Sequence, residues 1–225
     1  MKLKRHIWEV NNMYVKNRMT KNPITISSNA PITDVVALMR EKNLKRVPVV
    51  DGDKVVGILT QSDIQKVSPT KATSLSIFEI NYLLSKTTVK DAMTRNPTTI
   101  DADCLLEEAA VIMRQSRIGT LPVVENSKLV GIITESDIFD AFIDLLGFKD
   151  VGSRITVEAK DVPGALADIS DIFKSFDLNI THIAAYRGEG TSDVVIRSDA
   201  VDTVDLEKKL IMSGYKIKHV LKNEK

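Results

Sequence analysis

The segment from Val15 to Ile64 recurs without a gap 74 positions later, as Val89 to Ile138. About 21 of the 50 aligned pairs are identical, and about 11 of the other 29 exchange one apolar residue for another. The identities cluster. Met19-Thr20 meets Met93-Thr94, Asn22-Pro23 meets Asn96-Pro97, and Pro48-Val49-Val50 meets Pro122-Val123-Val124. The run Gly57 to Asp63 falls on Gly131 to Asp137. Two like units in one chain predict packing about a pseudo-twofold axis with paired clefts between them, an arrangement suited to ligand sensing more than to catalysis.

Within the first copy, Thr25-Ile26 reads as a short strand. Pro31 opens a helix that carries Ile32, Val35, Val36 and Met39 on one face. A strand Arg46 to Val50, the turn Asp51-Gly52-Asp53 and a strand Lys54 to Leu59 form a hairpin, and a helix begins after Thr60. The second copy repeats this order, with helices from about Leu105 and from Ser136. Between the copies, Leu75, Phe78, Ile80, Tyr82, Leu83 and Leu84 predict an apolar-sided packing helix.

From Ser153 the pattern changes. Strands at Arg154–Ala159, Ile180–Tyr186, Ser192–Arg197 and Lys216–Leu221 enclose helices marked by Leu166, Ile169, Ile172, Phe173 and Phe176 and by Val204–Met212. This β-α-β-β-α-β order predicts a ferredoxin-like domain. The fold class is therefore α/β and α+β. The domains are an N-terminal segment 1–14, repeats at 15–67 and 89–147 around a linker helix at 68–88, and a third domain at 153–221.

Each copy ends a buried strand at the start of a helix, where unpaired N–H groups favour phosphate. Gly57 and Gly131 permit close approach to the backbone. The hydroxyls of Thr60, Ser62, Thr134 and Ser136 can bond phosphate oxygens, and the carboxylates of Asp63 and Asp137 can accept both hydroxyls of a ribose. The same Thr-x-x-Asp spacing also fits a capping box, in which hydroxyl and carboxylate satisfy the helix's own amides. Local spacing leaves both readings open.

The full repeat resembles the tandem CBS-domain pair, or Bateman module. The features that carry the likeness are Val-x-x-x-Met-Thr at Val15 and Val89, the two Pro-Val-Val strands and the Gly-h-h-Thr-x-x-Asp endings (h being apolar). The resemblance implies an adenosine-containing ligand, AMP, ADP, ATP or S-adenosylmethionine, in clefts between the repeats. It places Asp63 and Asp137 on ribose, Thr60, Ser62, Thr134 and Ser136 near phosphate, and Thr20, Ile24, Thr94, Thr98, Val47 and Leu121 around the base. Phosphate-facing positions before the prolines hold Lys45 and Arg46 in one copy but Gly119 and Thr120 in the other, so the clefts should differ. Arg117 lies nearby.

Residues Ser153 to Val220 resemble an ACT domain through Asp161-Val162-Pro163-Gly164-Ala165-Leu166 and Leu178 to Ile183. That family binds amino acids near the Pro-Gly loop, which makes Asp161, Gly164, Ala165, Leu166 and Ile183 candidates; many members serve only for dimerisation. The whole order is similar to an acetoin-utilisation family. The implied protein is a non-catalytic regulator, a homodimer with an unknown target protein, in which nucleotide bridges the repeats and the change passes through the Phe139 to Leu146 helix. The alternative is a structural interaction module with empty clefts.

Composition narrows the rest. A net charge of +1 gives no bias toward nucleic acid, and no window approaches the roughly 18 apolar residues of a membrane span. A single cysteine suits a reducing cytoplasm. His6, His182 and His219 lack metal-ligand spacing, so no metal or enzyme cofactor is expected, and no nucleophile–base pair supports an enzyme. Cys104 stands at a predicted helix start, which could lower its pKa; its repeat partner Ala30 makes a small packing residue the better expectation.

Overall fold

The computed structural model describes residues 13–67, 76, 78–79, 82 and 86–224. Most of the expected linker helix, including Leu75, Ile80, Leu83 and Leu84, lies outside the described residues. The chain divides into two compact units, Met1–Phe139 and Asp140–Lys225.

The first repeat runs α1 (Val15–Arg18), β1 (Thr20–Lys21), β2 (Ile26–Ser27), α2 (Ile32–Glu41), β3 (Arg46–Asp51), β4 (Lys54–Thr60) and α3 (Gln61–Val67). The second copies it as α4 (Val89–Ala92), β5 (Thr94–Arg95), β6 (Ile100–Asp101), α5 (Leu106–Ser116), β7 (Thr120–Glu125), β8 (Lys128–Thr134) and α6 (Glu135–Leu145). Pro31 caps α2 at φ −58°, a value its ring already imposes. One face of α2 buries Ile32, Val35 and Met39 against Val47, Val49 and Leu59 of the hairpin. Each such side chain contributes about 1.5–3 kcal/mol.

The two-residue opening strands cross between the repeats. β1 pairs antiparallel with β8, setting Thr20 opposite Ile132, and β5 pairs with β4, setting Thr94 opposite Ile58. The two sheets are β2-β3-β4-β5 and β1-β8-β7-β6, so each is completed by a strand from the other copy. Gly57 and Gly131 make room for the exchange. A Cβ on Gly57 would lie 2.3 Å from Met93 Sδ and 3.1 Å from the Thr94 carbonyl oxygen; on Gly131 it would lie 2.3 Å from Met19 Sδ and 3.2 Å from the Thr20 oxygen. The close approach expected here of a ligand is made by the neighbouring repeat's Met-Thr strand.

Asn22 and Asn96 complete the crossing at left-handed φ of 48° and 47°, a conformation that asparagine tolerates better than most residues. Their amides donate to the Val130 and Val56 carbonyls, each at 3.1 Å. The duplicated Asn-Pro pairs are therefore turns that end the exchanged strands.

The third domain runs β9 (Gly152–Lys160), α7 (Ala165–Ser175), β10 (Ile180–Arg187), β11 (Thr191–Ser198), α8 (Val204–Met212) and β12 (Lys216–Asn223). Its sheet has the order β10-β11-β9-β12, with every neighbouring pair antiparallel. Alternate residues Ile155, Val157, Ala159, Val194 and Ile196 pack on Ile169, Phe173, Leu206 and Leu210 of the two helices. This is the ferredoxin-like arrangement that the strand and helix order implies.

Candidate functional site

The strand exchange brings the start of one repeat against the strand–helix corner of the other and leaves a cavity of about 400 Å³ between them. That volume lies within the range of small-molecule sites, roughly 300–1,000 Å³. Thr20, Ile24, Lys45 and Arg46 reach the cavity from the first repeat, and Thr134 and Ser136 from the second. Six of the candidate residues thus share one wall-to-wall space. Thr60, Ser62, Thr94, Thr98 and Thr120 do not line it; they hold the equivalent positions about the pseudo-twofold. Neither Asp63 nor Asp137 lines it. Val47 and Leu121 are fully buried, so their side chains belong to the core and only their backbone is left for a ligand.

Charge enters from Lys45 and Arg46 on one side and from Glu135 on the other. The Arg46 guanidinium reaches across the pseudo-twofold and donates from Nη1 to the Gly119 carbonyl, which leaves its other donors for an anion. The same carbonyl accepts from the Glu135 amide at 3.3 Å and the Thr120 hydroxyl at 2.6 Å. Gly119 lets both side chains come close: a Cβ there would lie 2.9 Å from Glu135 Oε2 and 3.5 Å from Arg46 Nη1. Glu135 escapes sequence reasoning because its repeat partner is the neutral Gln61. Asn22, Pro23 and Ile132 also escape it, since nothing local announces the exchanged strand that brings them in.

Both aspartates serve as helix caps. Asp63 Oδ2 accepts from the Thr60 amide at 3.1 Å and the Thr60 hydroxyl at 2.6 Å, while the Asp63 amide donates back to Thr60 Oγ1 at 3.2 Å. Asp137 Oδ2 accepts from the Thr134 amide at 2.7 Å and hydroxyl at 2.8 Å. At Asp63 the second oxygen is also engaged, by Lys66 Nζ at 2.9 Å. Burial works to raise the Asp63 carboxyl, but the bonds from Thr60 and Lys66 outweigh it and hold the group below its ordinary value. The capping and ribose readings are compatible only if a ligand uses the oxygen that the cap leaves.

The CBS domain model matches residues 15–69 and 89–144, and the ACT domain model matches 153–211. A solved protein of Vibrio cholerae assigned to acetoin utilization (AcuB) is 31% identical, with a TM-score of 0.50, over 61% of this chain and 95% of its own. The chain belongs to the CBS-domain family. It carries a CBS pair followed by an ACT domain. A CBS pair solved with 5′-methylthioadenosine and S-adenosyl-L-methionine is 33% identical over 57% of this chain and 98% of that one, at a TM-score of 0.47. An inosine-5′-monophosphate dehydrogenase of Korarchaeum cryptofilum is 29% identical over 75% of this chain, which spans only 33% of that enzyme.

In the ACT domain, Asp161, Gly164, Ala165 and Leu166 line a cavity of about 380 Å³, joined by Arg187 and Ser192. Gly164 caps α7 at a left-handed φ of 92°, where a side chain would be strained. Arg187 Nε lies 3.6 Å from Asp161 Oδ2. Ile183, the fifth candidate, is 47% exposed and does not line the cavity. Among the described residues no cluster of three metal-ligating side chains occurs, and no helix is long and apolar enough to cross a membrane. Burial pushes the Cys104 thiol up, and its hydrogen bond with Glu108 adds to the rise. Cys104 lies ahead of α5, and its thiol is not activated there.

Proposed function

We propose that the chain is a non-catalytic sensor that binds an adenine nucleotide in the cavity between its CBS repeats. The observation that carries this reading is the meeting of Thr20, Ile24, Lys45, Arg46, Thr134 and Ser136 around one space of about 400 Å³. Ile24 supplies an apolar face for a base, Lys45 and Arg46 supply phosphate contacts, and the Thr134–Ser136 corner supplies hydroxyls at a helix start. Asp137 keeps one oxygen for ribose. ATP is favoured over AMP in this cleft because two cations face it. Ligand that bridges the repeats shifts the equilibrium between two packings by its difference in affinity for them, typically about 1–3 kcal/mol. The change passes along α6 to the ACT domain, and from there to a target protein. The ACT cavity at Asp161, Gly164, Ala165 and Leu166 is the place for an amino-acid ligand. The active form is a cytoplasmic homodimer of AcuB type.

Thermal unfolding with AMP, ADP, ATP and S-adenosylmethionine tests the reading. Nucleotide at about 100 times its dissociation constant stabilises the fold by about 2.7 kcal/mol. One observation favours a rival, a structural interaction module with empty clefts: both aspartates already satisfy their own helix starts. That rival predicts no shift with any of the four ligands and co-purification with a fixed partner.

A further inference from the structure

The sheet face of the ACT domain that its two helices leave uncovered carries two adjacent arginines. Residues directly opposite each other across antiparallel strands share a face, and the pairings set Leu221, Arg154, Arg197 and His182 in one row across β12, β9, β11 and β10. Two arginines therefore stand side by side on the inner strands. Like charges in that position are destabilising. Further along the same face the charges cancel: Lys218 Nζ lies 2.8 Å from Glu158 and 2.6 Å from Asp193. In the arginine row they do not.

Around that row lies a cavity of about 470 Å³ lined by Phe148, Lys149, Arg154, Arg197, Leu221 and Lys222. Asn223, which completes the lining, donates from Nδ2 to the Asp150 carbonyl at 2.8 Å. Four of the lining residues are cations and none is a carboxylate. Arg197 is only 8% exposed, yet among the described residues its guanidinium has no hydrogen bond or ion pair; it lies over the Phe148 ring, 5.9 Å from the centroid. Arg154 is held in place by a bond from Nη1 to Thr156 Oγ1 at 3.2 Å. Lys149 has a distant partner in Asp144 at 4.0 Å. Burial lowers the Arg197 pKa, the neighbouring Arg154 lowers it further, and Asp150 opposes them. The Asp150 carboxylate itself faces His182 Nδ1 at 3.5 Å. The guanidinium nitrogens of Arg197 are not sealed from solvent, so an anion can reach them, and planar guanidinium forks match phosphate oxygens.

We infer that this cavity binds a small phosphate-bearing molecule, with Arg154 and Arg197 as its floor, Lys149 and Lys222 at its rim, and Phe148 and Leu221 against the ligand's apolar part. The site lies outside the CBS cavity and the Asp161–Leu166 cavity and depends on neither.

Calorimetric titration of inorganic pyrophosphate into the full chain tests it. Lys149→Gln/Lys222→Gln protein should bind pyrophosphate at least about 10-fold more weakly, a loss of about 1.4 kcal/mol, whereas Lys45→Ala/Arg46→Ala protein should retain this binding. Arg197→Met gives a signature that a merely structural arginine would not: a higher unfolding midpoint without anion, and no further rise with pyrophosphate. Absence of binding at millimolar pyrophosphate overturns the site. So does unchanged affinity in the Lys149→Gln/Lys222→Gln protein, or an Arg197→Met protein that still responds to pyrophosphate as the parent does.

Discussion

The two CBS repeats share a backbone plan but not a charge plan. At the first strand–helix corner, Asp63 is buried and both its oxygens are engaged, one by Thr60 and the other by Lys66. At the second, Asp137 is only half-buried, and the position equivalent to Lys66 holds Asp140. The strands that face these corners differ in the opposite sense, with Lys45 and Arg46 in the first repeat where the second has Gly119 and Thr120. The cations of one copy therefore share a cavity with the less committed corner of the other. Duplication preserved the pseudo-twofold packing while substitution placed Lys45 and Arg46 of one copy beside the Thr134–Ser136 corner of the other.

The largest test strikes at the packing both repeats share. Gly131→Val should destabilise the CBS unit by about 1–3 kcal/mol through overpacking against Met19 and the Thr20 carbonyl, read as a lower urea midpoint. Adding Met19→Ala should recover part of the loss, and an unaltered midpoint in Gly131→Val would contradict the tight strand crossing. Next comes the charge asymmetry. Lys45→Ala/Arg46→Ala should cut ATP affinity about 10-fold, or about 1.4 kcal/mol, and change AMP affinity less, as measured by calorimetry; an unchanged ATP-to-AMP ratio removes the assignment.

The corners themselves separate in acid. Asp63 has a folded pKa below its unfolded value of about 3.9. The stability that its bonds provide is complete above that unfolded value and is lost as the pH falls through the folded one. Asp63→Asn should therefore flatten the acid limb of stability against pH, and a limb identical to the parent's would refute the coupling. At neutral pH, loss of the cap in Asp63→Ala should cost about 1 kcal/mol. The smallest effect is expected at Arg117, which ends α5 at a left-handed φ of 54°. Relief of the left-handed conformation, about 1–2 kcal/mol, exceeds the freedom that glycine adds to the unfolded chain, about 0.4–1 kcal/mol. Arg117→Gly should therefore raise stability by about 0.5–1 kcal/mol, and a lower urea midpoint would show that the arginine makes compensating contacts.

Much of this architecture can be read from residue order because the elements that matter are long enough to have a period. The hairpin Arg46–Thr60 sets two apolar runs around an Asp-Gly turn, α2 repeats its apolar face, and β9 to β12 announce themselves by flanking turns. The exchanged strands β1 and β5 have two residues each, too few to show any alternation, and their partners lie more than 35 residues away by sequence. Hence Gly57 and Gly131 read as ligand-facing although they face methionine. Glu135 was hidden for a different reason: its importance comes from the Lys45 and Arg46 side chains that the fold brings opposite it. The Thr60–Asp63 spacing was legible as either a cap or a contact, and only the hydrogen bonds show that the cap is already made.

A polypeptide holding a single copy would carry its opening Met-Thr segment with nowhere to dock at home, and would leave the free edge of its hairpin without a neighbour. It could mend both faults only by meeting another molecule. Tethering two copies in one chain makes that meeting intramolecular, at an effective concentration fixed by the connection rather than by expression level. Severed between the copies, the halves should each be incomplete and should reassemble when mixed.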